Sequence, residues 1–233
     1  MSDGLVSILD GNTFVVSDVR GDIDATATDP TGLFSFDTRF LSRWVLTVDG
    51  QRLTALSTDD LQYFESQFFL VPSTGTVYVD SKLSVIRRRQ VGDGFREDLT
   101  VLNHDASAVE AVIRIDAGAD FADLFEVKDA LKKKGTYGAT MDDGRLVLTY
   151  DRDAFRRTTT ISSTEPPEID EHGLHFPRPD RPARFVEHAA AGGVGDVRPP
   201  RTRAAAARAG RRAPSGDARR PGALARRGAA ARL

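Results

Sequence analysis

An aspartate and an arginine two positions apart, Asp37 and Arg39, interrupt the aromatic run GLFSFDTRFLSRW at residues 32–44. In an extended segment residues i and i+2 point to the same side, so the two charges pair with each other or share one polar partner. Beside Phe36, Phe40 and Trp44 they make a polar shelf next to apolar rings, chemistry that suits sugar hydroxyls and pyranose faces. The plainer alternative is an ion pair closing one end of a sheet. If the whole run were one strand, the even positions from Phe34 to Val48 would share a face over about 50 Å, longer than strands run, so a break is expected at Asp37–Arg39. A helical reading of Leu33, Phe36, Phe40 and Trp44 stays open on periodicity alone.

Other chemistry-bearing patterns are weaker. In Glu171-His172-Gly173-Leu174-His175 the two imidazoles flank a glycine and prolines lie on either side, so the segment reads as a solvated loop and no metal ligand is assigned. Gly92-Asp93-Gly94 lacks the third glycine of a dinucleotide fingerprint and reads as a hairpin turn. Arg87-Arg88-Arg89 ends a strand, where alternate members face opposite sides, and reads as a solvated edge. Carboxylates are plentiful, yet none forms a recognisable acid–base pair. No catalytic residue and no cofactor are therefore assigned.

The elements that position these residues are strands. Val109, Ala111, Ile113 and Ile115 alternate with polar residues, as do Phe95, Leu99 and Val101. Further runs lie at 13–16, 44–48, 63–71, 77–79, 83–86, 146–150 and 158–161. Asp49-Gly50, Asp93-Gly94 and Asp143-Gly144 supply tight hairpin turns. Only 120–134 reads as a helix, with Phe121, Leu124, Phe125 and Leu131 at helical spacing and Gly135 behind it. The expected fold is an all-β antiparallel sandwich with at most one short helix.

Composition divides the chain. Residues 189–233 hold 15 Ala, 11 Arg, 7 Gly and 4 Pro with no aromatic residue, too little apolar surface to offset the entropy of ordering. We expect residues 1–176 to be the folded domain and 177–233 to be a disordered, low-complexity tail. Its four dominant residue types are those of GC-rich codons. Moving the frame by one nucleotide from Arg178 is compatible with Val-Arg-Ile-Asp-Pro-Arg-Gly-Ser-Trp-Ser, so a frameshift and a truncated product are expected. Nucleic-acid binding by the Arg-rich tail is the lesser expectation. The chain has no cysteine, which excludes disulfides and thiolate chemistry and makes the reducing cytoplasm the simplest compartment. No run of eighteen apolar residues occurs, so no membrane-spanning helix is expected.

GNTFVVSDVRGDI (11–23), GLFSFDTRFLSRWVLTVDG (32–50), RRRQVGDGFREDLTVLN (87–103) and ADFADLFEVK (119–128) together resemble the N-terminal domain of bacterial glycogen-debranching-type proteins, the amylo-α-1,6-glucosidase-like group. The resemblance covers about residues 5–176. It implies a supersandwich-like domain in front of an (α/α)-barrel glycoside hydrolase domain that carries the acid and base carboxylates and is missing here. The implied role is to pack on that barrel and shape an α-glucan cleft. Asp37 and Arg39 are the expected substrate or domain contacts, with Glu126 a further candidate and Phe36, Phe40 and Trp44 as structural anchors. A stand-alone carbohydrate- or protein-binding module is the alternative.

Overall fold

The computed structural model describes residues 4–26, 29–72, 82–92, 94–107, 109–129, 133–177 and, by backbone alone, 185–192. The expected strand at 77–79 and the tail from 193 onward lie outside the described residues. In chain order the strands are β1 (Val6–Asp10), β2 (Thr13–Ser17), β3 (Ile23–Asp24), β4 (Gly32–Ser35), β5 (Thr38–Leu41), β6 (Arg43–Val48), β7 (Gln51–Gln62), β8 (Glu65–Pro72), β9 (Leu83–Val91), β10 (Phe95–Asn103) and β11 (Val112–Gly118). The helix α1 (Leu124–Asp129) follows, then β12 (Thr136–Asp142), β13 (Arg145–Arg152), β14 (Phe155–Ser163), β15 (Glu168–Asp170), β16 (Gly173–Pro177) and β17 (Phe185–Gly192).

All of the strand pairings are antiparallel. A small sheet runs β1-β2-β4-β5, and a long array runs β12-β13-β14-β17-β10-β9-β8-β7-β6-β11-β16-β15, with β3 on β6. The twelve-residue β7 pairs with β6 at its start and with β8 along the rest, with two register shifts on the way. Bulges of this kind bend a strand, and here β7 carries the array from one layer into the other. The layers meet where Trp44 of β6 stands edge-on to Phe95 of β10 at 5.5 Å. Inward residues such as Phe68, Leu70, Ile115, Leu146 and Leu174 complete one continuous core. This is the antiparallel sandwich that the alternation predicts.

The turns at Asp49-Gly50 and Asp143-Gly144 have positive φ at both residues, the geometry that matches the twist of paired strands. Gly173 sits where a Cβ would lie 2.0 Å from the Ile115 carbonyl oxygen, so only glycine lets β16 pair with β11 there. The helix is shorter than the expected 120–134: its described part spans six residues, and Phe121 lies before it with φ 49. His175 stands in β16 rather than in a loop, against Glu168 of β15. Within the segment expected to be disordered, residues 185–192 form β17, hydrogen-bonded between β10 and β14.

The solvated edge expected at Arg87-Arg88-Arg89 is corrected by the topology. Strand β9 lies between β8 and β10, so its inward residues reach the core. Arg88 faces out and pairs with Glu65, whereas Arg87 and Arg89 are fully buried on either side of Glu97. Arg87 donates to Glu97 Oε1 at 3.0 Å and to Asp22 Oδ1 at 2.7 Å, and Arg89 donates to Glu97 Oε2 at 2.5 Å. Trp44 Nε1 also donates to Glu97, at 2.9 Å. The two guanidinium groups reach on to the carbonyls of Arg20 and Gly21, tying the turn before β3 to the sheet.

Burial opposes the charge on Arg87, but the carboxylates of Glu97 and Asp22 outweigh it and hold the group above the ordinary guanidinium range. Burial prevails at Arg89, which contacts one carboxylate instead of two and lies beside Arg87, so its value is lowered. Burial would likewise raise Glu97, yet Arg87 and Arg89 keep its carboxyl below the ordinary carboxylate range. A carboxylate depressed in the folded state contributes stability that is complete above its unfolded value and lost as pH falls through the folded one. Thermal melts between pH 7 and pH 3 are therefore expected to show little change above about pH 5 and a steep fall in Tm below about pH 4.5. A Tm that rose on acidification would contradict this charge arrangement.

Candidate functional site

The β4–β5 hairpin turns on Phe36 and Asp37, where Phe36 takes φ 52 and its amide donates to the Asn12 carbonyl at 2.8 Å. A left-handed residue reverses the chain and breaks the period of two. The expected break is there, one residue earlier than a centre at Thr38, and the two charges consequently part company. Asp37 is exposed at the tip of the turn, while Arg39 is buried in β5 with 1% of its surface accessible.

Arg39 is fully occupied by its own protein. Its Nε lies 3.1 Å from both carboxylate oxygens of Asp120, and Nη2 donates to Asp120 Oδ2 at 2.5 Å. The remaining donors reach the carbonyls of Asp29 at 2.8 Å, Thr31 at 3.2 Å and Thr26 at 3.4 Å. Gly32 makes room for this side chain, since a Cβ there would lie 2.5 Å from Arg39 Cδ. The structure thus corrects the reading of Arg39 as a polar contact beside Asp37: it stitches the 26–31 segment to the loop before α1. Phe36 is likewise no anchor, being 65% exposed because the turn rotates it outward. Phe40 and Trp44 are buried, Phe40 edge-on to Phe121 at 6.0 Å.

The chain brings the other two candidates together. Leu124 N donates to the Asp37 carbonyl at 2.9 Å, and Arg39 N to the Ala122 carbonyl at 2.8 Å, so α1 is fastened to the hairpin. Asp123 and Glu126 form a reciprocal capping box: Glu126 N donates to Asp123 Oδ1 at 2.8 Å and Asp123 N to Glu126 Oε2 at 2.9 Å. Glu126 also pairs with Lys133 at 2.8 Å, whose ammonium lies 4.9 Å from the Tyr150 ring centroid. Asp37, Asp123, Glu126 and Lys133 then line one wall of an open cleft of about 550 Å3, faced by Tyr150, Arg152, Asp153, Phe155 and Arg157 of the β13–β14 hairpin. Behind it, partial burial, with Asp120, Tyr150 and Glu126 nearby, pushes the Tyr137 hydroxyl up to about 12. That hydroxyl donates to the Asp120 carbonyl at 3.1 Å.

Sequence reasoning missed Arg157 and Phe155. Strand alternation was legible at 158–161, but nothing local signalled that this hairpin would lie across from Asp37. Among the described residues, no group of three His, Asp or Glu side chains is placed to hold a metal ion, and no helix is long and apolar enough to cross a membrane.

A family model for the N-terminal domain of (some) glycogen debranching enzymes matches residues 8–178. The chain belongs to that family. The match runs from within β1 through β16 and takes in both walls of the cleft, so the site is built from residues of the glycogen debranching N-terminal domain. No curated protein matches the chain.

Proposed function

We propose that this glycogen debranching N-terminal domain packs on a catalytic (α/α)-barrel in the cytoplasm and shapes the α-glucan cleft of that enzyme, with the open cleft face as the contact. The bond-breaking carboxylates belong, in this reading, to the barrel, and the present domain is an accessory to it. The observation that carries it is the company the cleft keeps. Phe155 lines the cleft and is 47% exposed, and Phe36 and Phe125, 65% and 72% exposed, lie in the β4–β5 turn and in α1, the elements that supply Asp37 and Glu126 to it. Large exposed apolar side chains on the elements around one cleft mark an interaction surface.

The test uses the barrel domain of a family member expressed without its own N-terminal domain. Mixed with the 233-residue chain, it is expected to co-elute in size-exclusion chromatography. Phe125→Asp, which places a charge at an exposed position and leaves the core untouched, is expected to weaken association by at least about tenfold. Failure of the wild-type chain to associate would sink the proposal.

A further inference from the structure

Strand β12 closes one end of the long array and, among the described residues, pairs with β13 alone. Proline, lysine and bulges are the usual devices that keep a sheet edge from pairing. The sequence of β12, TYGATMD, has neither residue, its register with β13 is unbroken, and every one of its residues is exposed. The other end of the array, β15, is three residues long and carries Glu168 and Asp170.

Hairpin geometry decides which backbone groups of β12 point outward. With Asp143 and Gly144 both at positive φ, the flanking Asp142 and Arg145 exchange both of their backbone bonds. Alternation then turns Asp142, Thr140, Gly138 and Thr136 toward β13, and the Gly138 carbonyl accepts from the Thr149 hydroxyl at 3.5 Å. The amides and carbonyls of Tyr137, Ala139 and Met141 point the other way, out of the edge. Their side chains share a face with Tyr150, Leu148 and Leu146, the buried residues opposite them in β13. Yet Tyr137 is 48% and Met141 63% exposed, so the apolar layer runs one strand beyond its cover.

We propose that β12 is the interface of a two-fold homodimer, in which two copies of the strand lie antiparallel about Ala139 and join their sheets edge to edge. This register engages every outward-pointing residue: Tyr137 with the partner's Met141, Ala139 with the partner's Ala139, and Met141 with the partner's Tyr137. Each exposed ring then meets a thioether, a favourable contact. Charge fits the same register. Antiparallel pairing brings the exposed Asp142 and Asp143 at one end of the strand to the exposed Lys134 beyond the other end of its partner, and no like charges stand opposite. A two-fold contact closes, so assembly stops at the dimer. The edge is a small interface, with Kd on the order of 10–100 μM. It leaves the cleft face free, so the dimer stands or falls separately from docking on the barrel.

The test is sedimentation equilibrium of the full 233-residue chain from about 5 to 500 μM, a range that brackets this affinity. The mass is expected to rise from monomer to dimer and no further. Ala139→Lys and Ala139→Glu each set like charges together on the axis at an exposed position, and each is expected to weaken association at least about tenfold. An equimolar mixture of the two variants is expected to restore it, which misfolding of either would not do. Amide exchange of the wild-type chain gives a second readout: protection at Tyr137, Ala139 and Met141 is expected to rise with concentration, whereas Gly138 and Thr140, bonded to β13, stay constant. A wild-type chain that remains monomeric, growth past a dimer, a dimer that neither substitution weakens, a mixture that fails to associate, or exchange at Tyr137 and Met141 indifferent to concentration would each overturn the proposal.

Discussion

Glu97→Gln is expected to lower the unfolding free energy by about 3–5 kcal/mol, the usual cost of leaving a buried charge without its partner. Against a total of about 5–15 kcal/mol for a domain this is a large fraction of the stability. The substitution keeps the shape and leaves an oxygen for Trp44 Nε1, so the loss reports charge and not packing. Among the described residues Glu97 is the only carboxylate that both Arg87 and Arg89 contact, and its neutralisation leaves the two guanidinium groups in the core with Asp22 alone among them. The amide also presents donors to donors. Urea unfolding followed by tryptophan fluorescence reads the change directly, because the single Trp is itself hydrogen-bonded to Glu97. Adding Arg89→Met to Glu97→Gln is expected to cost less than the sum of the two separate changes, since one unpaired cation is removed with its anion. A loss below about 1 kcal/mol for Glu97→Gln would mean that water reaches the cluster and the layers do not meet as described.

Arg39→Met is expected to cost about 3 kcal/mol. The apolar stem survives, but Asp120 loses its bidentate partner and the carbonyls of Asp29, Thr31 and Thr26 lose their donors. Arg39→Lys is expected to recover only part of this, because an ammonium cannot span a carboxylate and three carbonyls at once. Both variants, once folded at low temperature, should co-elute with the barrel domain as the wild-type chain does. That combination, a lower urea midpoint with unchanged association, separates a residue that braces the site from one that touches the partner. Loss of co-elution in folded Arg39→Lys with an unchanged urea midpoint would restore the contact role that the sequence suggested.

The two largest effects thus turn on buried arginines that a linear reading places wrongly, Arg87 and Arg89 around Glu97 and Arg39 itself, and for one physical reason. Charge in a sequence reads as surface, since burying an ion is costly. What reverses the reading is a partner supplied from far along the chain: Asp120 lies 81 residues from Arg39, and Asp22 lies 65 from Arg87. Glu97, by contrast, is close in sequence to Arg87 and Arg89 and pairs across the β9–β10 hairpin. Alternation correctly sent Arg88 to the opposite face from its neighbours. It did not say which face was wet, because that depends on whether β9 is an edge or an interior strand.

Period-two alternation, the Asp-Gly turns and the motifs around DTRFLSRW and DFADLFEVK were enough to determine an antiparallel β fold and its family, because side-chain direction along a strand and backbone sign in a tight turn are local properties. They also located the chain reversal near Asp37 and the burial of Phe40 and Trp44. Which strands lie side by side, whether Arg39 points into protein or solvent, and that the 153–157 hairpin faces Asp37 across a cleft were decided only by tertiary structure. Those outcomes depend on contacts between residues separated by tens to more than a hundred positions, for which a single sequence carries no periodic signal.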